Sequence, residues 1–89
     1  MIPTLLQIFE VLAAISGVLM ASAGFPQAIK IFKTKSAKDI SFSSRMMMLI
    51  GGIIWLIYGF LLLSIPIILS NIAGTLAEIA VILGYLKYK

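Results

Sequence analysis

The sequence predicts an all-α membrane protein: a single bundle of three transmembrane helices filling residues 1–89, with the helices at about 4–32, 43–63 and 66–86. Two observations carry that expectation. The chain is 62% hydrophobic, with a mean hydropathy of +1.17, well above the roughly 45–50% apolar content of soluble domains. Three crossings of roughly 20 residues need about 60, and the remaining about 30 fit the ends and two connections seen here.

The first apolar stretch runs from about Thr4 to Phe32 and is longer than a straight crossing requires. Gly17, Gly24 and Pro26 interrupt its second half, and a proline in a helix predicts a kink near Pro26. Lys33 to Ser44 is the one polar connection, and Ser36, Asp39, Ser41, Ser43 and Ser44 supply turn and N-cap chemistry for the next helix. The second span, about Ser43 to Leu63, is joined to the third by Ser64-Ile65-Pro66 alone, which predicts a tight antiparallel hairpin. Pro66 suits the first turn of a helix, where its missing N–H had no partner to lose. The third span ends in Tyr85, Lys87, Tyr88 and Lys89, an aromatic and cationic anchor for the membrane interface.

All seven cations fall in two places: Lys30, Lys33, Lys35, Lys38 and Arg45 around the first connection, and Lys87 and Lys89 at the end. With three crossings these regions share one side. The excess of positive charge on cytoplasmic loops then places the C-terminus inside and the N-terminus outside. Such lysines also attract anionic lipid headgroups. Met1–Ala23 lacks the cationic start of a secretory signal and carries Glu10, so it is read as a retained span.

Composition excludes several functions. Without cysteine or histidine there is no disulfide framework, thiolate nucleophile, zinc site or imidazole acid–base chemistry. No glycine-rich phosphate motif and no basic-aromatic surface for nucleic acid is present. The chain is not expected to be an enzyme or to need a cofactor or metal.

Among the apolar residues a few polar or aromatic ones stand out. Trp55 lies near the middle of the second span, away from the interface where tryptophan anchors, so it either packs on a neighbouring helix or offers a flat stacking face. Asn71, about one and a half turns into the third span, either glues helices or binds a solute. An indole face for sugar C–H surfaces and an amide that donates and accepts towards hydroxyls are the groups a neutral sugar site requires.

Asn71, Gly74 or Thr75, and Glu78 recur along one stripe of the third helix, which should face protein or water. Gly51, Gly52 and Gly59 on the second span, with Gly74 and Gly84 on the third, allow close helix approach. Met46-Met47-Met48 offers flexible side chains at the start of the second span, while Ser16 and Ser22 can bond back to their own helix. Glu10, near the outer end, can reach the interface. Glu78 is a candidate proton site, or it snorkels to the cytoplasmic interface or pairs across helices, for example with Tyr85 or a loop lysine.

Pro26-Gln27 in the first span, Lys-Thr-Lys-Ser-Ala-Lys-Asp-Ile-Ser at 33–41, Trp55 within Trp-Leu-Ile-Tyr-Gly, and Asn71 after Pro66-Ile-Ile-Leu-Ser occur in this order. With them the chain resembles the SemiSWEETs, half-size bacterial sugar transporters of the PQ-loop superfamily, from about Ser16 to Gly84. The resemblance implies a triple-helix bundle with the spans ordered 1-3-2 in space and a parallel homodimer in the bacterial inner membrane. It also implies alternating access by facilitated diffusion of a mono- or disaccharide. Trp55 and Asn71 would bind sugar, Pro26 and Gln27 would form the hinge, Tyr58 an outer gate, and Met48 and Ser44 an inner gate. The family's Arg and Asp near the outer end of span two are Leu62 and Ser64 here, and Glu78 stands where the family is usually apolar. Other readings are a proton-coupled PQ-loop amino-acid transporter, a small multidrug-type exporter, against which three rather than four spans count, and an accessory subunit whose polar groups only join helices.

Overall fold

The computed structural model describes residues 4–89, so Met1–Pro3 of the expected 1–89 unit lie outside it. Four helices follow in order: α1 (Leu5–Ala21), α2 (Gly24–Thr34), α3 (Phe42–Leu62) and α4 (Ile65–Tyr88). The first two are halves of one 30-residue span, so three stretches are long and apolar enough to cross a membrane.

Each boundary has a local cause. Thr4 caps α1 reciprocally: its hydroxyl accepts from the Gln7 amide at 3.2 Å while its own amide donates to Gln7 Oε1 at 2.8 Å. The kink expected near Pro26 is the α1–α2 break at Ser22-Ala23, one turn before the proline. A proline ring collides with the carbonyl four residues earlier and cannot bond to it. That carbonyl belongs to Ser22, and here it accepts from Phe25 at 3.0 Å. Pro26 sits in the first turn of α2, where no N–H is missed.

Lys35 ends α2 in the left-handed region at φ 55°. Ser41 caps α3, its hydroxyl accepting from the Ser44 amide at 3.3 Å. At the other end Leu63 also takes φ 55°, with the Leu63 amide donating to Phe60 O and the Ser64 amide to Gly59 O. These two bonds close the helix in the manner of a Schellman turn, with leucine where glycine is usual. Ser64 then opens α4, with Pro66 in its first turn.

Helix α4 lies between the other two spans and packs on α1, α2 and α3. The spans are therefore ordered 1-3-2 in space, as the resemblance implied. The Cα atoms fill 53 × 23 × 14 Å, a plate flattened along one axis. Small residues set the spacing. A Cβ placed on Gly24 would lie 2.9 Å from Ala77 Cβ, and one on Gly59 would lie 2.7 Å from Ile67 Cγ2 and 3.3 Å from the Ile68 amide nitrogen. Buried Ala77 and Val81 are the centre of the plate, with Ala28, Ile31 and Ala37 closing it near the first connection. Phe42 stacks on Tyr85 at 5.2 Å, and Phe32 meets Tyr88 edge-to-face at 5.7 Å. Nearly everything else large and apolar faces outward, including Leu6, Leu19, Leu61 and Leu63, as lipid contact demands.

Gly51 differs from the expected close contact: among the described residues, none outside its own turn of helix lies within 4 Å of the place a Cβ would occupy. Gly59→Ala should destabilise the protein in detergent by about 1–3 kcal/mol through overpacking. Gly51→Ala should be far milder within one chain. Thermal unfolding of the two variants, followed by helical circular dichroism, checks the contrast, which equal melting temperatures would refute.

Candidate functional site

Because α4 separates the first and second spans, the polar stripe along its inner face is not enclosed. It lines an open groove of about 650 Å³ to which all three spans contribute. Gly17, Met20, Gly24 and Gln27 come from the first span, Arg45, Met48, Gly52 and Trp55 from the second, and Asn71, Thr75 and Glu78 from the third. The stripe expected on the third helix therefore does face the groove rather than lipid.

Trp55 stands in the groove wall 54% exposed, and its ring meets Tyr58 edge-to-face at 5.5 Å and 86°. A T-shaped contact with a single ring leaves at least one indole face free of Tyr58 to stack on an apolar ring surface. Asn71 is half-buried, and its Nδ2 donates to Ile67 O at 2.8 Å, within its own helix and not across to a neighbour. One amide hydrogen is used in this way. The second N–H and the carbonyl oxygen have no partner among the described residues, so the side chain keeps a donor and an acceptor for a hydroxylated ligand.

The remaining residues divide. Met48 and Gln27 line the groove, and Tyr58 reaches it through Trp55. Ser44 does not line it; its hydroxyl lies 3.1 Å from Ser41 Oγ in the cap of α3. Pro26 is exposed outside the groove and shapes it through the break at Ser22-Ala23. Glu10 is exposed on α1, and Ser16 bonds back to Leu12 O at 2.8 Å.

Glu78 is 6% exposed and accepts from Arg45 Nη1 at 2.9 Å through Oε1. Its partner is thus neither Tyr85 nor a loop lysine. Sequence reading placed Arg45 among the charges that set membrane orientation and missed this pairing. The available signal was two opposite charges inside apolar spans, neither of which can stay in hydrocarbon alone.

The family model for sugar efflux transporters for intercellular exchange matches residues 7–89. The chain is 41% identical over 63 residues to the sugar transporter SemiSWEET of Bradyrhizobium diazoefficiens, covering 71% of this chain and 73% of that protein. It is 38% identical over 60 residues to the SemiSWEET of Leptospira biflexa, covering 67% and 69%. An uncharacterized protein of the archaeon Methanocaldococcus jannaschii is 37% identical over 79 residues, 89% of this chain and 83% of that one. Among solved structures, a bacterial homologue of SWEET transporters superposes with a TM-score of 0.86 at 36% identity, over 92% of this chain and 99% of that one. A match across nearly all of the sequence and a common fold lead to one conclusion: the chain belongs to the family of sugar efflux transporters for intercellular exchange, membrane proteins and not enzymes.

Proposed function

We propose that the protein carries a neutral sugar down its gradient, with two parallel copies of the chain placing their grooves face to face around the substrate. The observation that carries this reading is the groove itself: a free indole face at Trp55 and an unspent amide donor and acceptor at Asn71, in an opening too wide to be structural packing. A polar stripe along a bilayer-spanning plate cannot face hydrocarbon, and a second copy covers it with a surface of the same polarity. Relatives named as sugar transporters support the substrate class.

In this account each three-helix chain is one unit, and the two units rock to open the path to either side. The first span bends at Ser22-Ala23 because Pro26 denies it a continuous ladder, with Gln27 just beyond the bend facing the groove. Met48, with its adaptable side chain, narrows the path towards the α2–α3 connection, one turn from Ser44 at the start of α3. Tyr58 does so on the opposite side of Trp55. The cationic connection and C-terminus face the cytoplasm, in contact with lipid headgroups, and the N-terminus lies outside.

Trp55→Ala and Asn71→Ala should each lower sugar uptake into liposomes by roughly tenfold or more while leaving dimerisation intact. Parallel assays with radiolabelled amino acids and a lipophilic cation separate the other transport readings. Normal sugar uptake in either variant at equal reconstitution, or flux of an amino acid in place of sugar, would refute the assignment.

Pro26→Ala restores an N–H that can bond to Ser22 O and bridge the break. It should slow net exchange more than it weakens sugar binding. Counterflow rates and binding constants measured on the same preparation test this. A variant that binds poorly but exchanges normally at saturation would contradict it.

A further inference from the structure

The groove continues past Trp55 and Asn71 to a second polar group that the sugar reading so far does not use. Thr75 and Glu78 follow Asn71 on the same stripe of α4, with Arg45 of α3 opposite. Seven positions along a helix rising about 1.5 Å per residue put Glu78 about 10 Å from Asn71. One pyranose ring does not span that length. Two linked rings do.

The hydrogen bonding at this end is incomplete. Arg45 Nη1 donates to Glu78 Oε1 at 2.9 Å, while Glu78 Oε2 and Thr75 Oγ1 are buried without a partner among the described residues. A buried acceptor left unmade is costly, and a carboxylate oxygen especially so. A guanidinium carries five N–H donors and this one spends a single one on Glu78, with its side chain 25% exposed in the groove wall. Hydrophobic residues would have filled the same space without a charged pair, since a buried ion pair rarely out-stabilises well-packed apolar side chains.

From this we infer that Arg45, Thr75 and Glu78 form a second hydroxyl-binding subsite, which takes the second ring of a disaccharide whose first ring lies at Trp55 and Asn71. Arg45 donates to a ring hydroxyl oxygen, and the neighbouring hydroxyl donates to Glu78 Oε2 once the carboxylate turns about its soft terminal torsion. Thr75 Oγ1, one turn nearer Asn71 and buried beside Gly52, bonds a hydroxyl between the two once a change of its χ1 rotamer brings it into the groove. The pair is electrically neutral as a unit, which suits an uncharged ligand. The same charges that hold α3 to α4 thereby select for substrate length.

The inference rests on the sugar reading above, and its test separates the two. Maltose and glucose differ by one glucose ring, so unlabelled maltose and glucose are each made to compete with radiolabelled glucose for the full-length protein in detergent. The wild type should prefer maltose. The double variant Arg45→Met/Glu78→Met, which removes both charges at once and strands neither, should lower the maltose-to-glucose affinity ratio by roughly tenfold or more. Thr75→Val leaves the ion pair in place and should lower the ratio by roughly two- to tenfold, so the test stands even if the double variant does not fold. An unchanged ratio in Thr75→Val and in a folded double variant would overturn the subsite while leaving sugar binding intact. Failure of glucose itself to bind the wild type would overturn the sugar reading, and this one with it.

Discussion

The position of α4 between the other two spans is the constraint on which the rest depends. It is set by contact distance more than by apolar volume, because lipid offers apolar side chains as good an environment as a neighbouring helix does. Gly24 against Ala77 and Gly59 against Ile67 leave no room for another carbon atom, so the helices approach closely and dispersion contacts accumulate. With α4 in the middle, the first and second spans are held apart, and the space between them on one face of α4 is the groove. The site is therefore a by-product of packing order: three helices in a row make a plate, and a plate has an open face.

That open face explains how polar residues persist in a chain this apolar. Trp55, Asn71, Thr75, Glu78 and Arg45 all lie along it, and the opposite charges of the last two meet at 2.9 Å. A lone charge in the span would carry a heavy desolvation penalty, whereas the paired charges offset part of it and join α3 to α4 at the end away from their hairpin. The hairpin and the ion pair together brace α3 and α4 at both ends. Among the described residues the first span meets α4 by packing, through Gly24 on Ala77 and Phe32 on Tyr88, with neither an ion pair nor a tight hairpin to it. It carries the break at Ser22-Ala23, so the chain divides into a braced pair of spans and one jointed span, an arrangement suited to rocking motions about the joint.

Much of this was legible in the sequence for definite reasons. The three spans follow from apolar length, the hairpin from Ser64-Ile65-Pro66, and the groove stripe from the spacing of Asn71, Thr75 and Glu78, all local features that translate directly into geometry. What sequence left open depends on contacts between distant residues. A proline predicts a kink near itself, but its clash acts on the carbonyl one turn earlier, so the bend lies at Ser22-Ala23. Asn71 bonds its own helix at Ile67 O, which no pattern distinguishes from a bond to a neighbour. The partner of Glu78 is 33 residues away in sequence, and Arg45 was read through the charge of its loop rather than through its register on α3. The spans' order in space came from the family resemblance, since nothing local states which helix lies in the middle.

The central claim is that one chain supplies half of a binding site and that two open grooves close around one substrate. Its most direct test is the stoichiometry of radiolabelled sugar bound to the purified protein by equilibrium dialysis, at saturating sugar and known chain concentration. The account predicts one sugar for every two chains. One sugar bound per chain, with the protein monomeric in the same detergent, would contradict it.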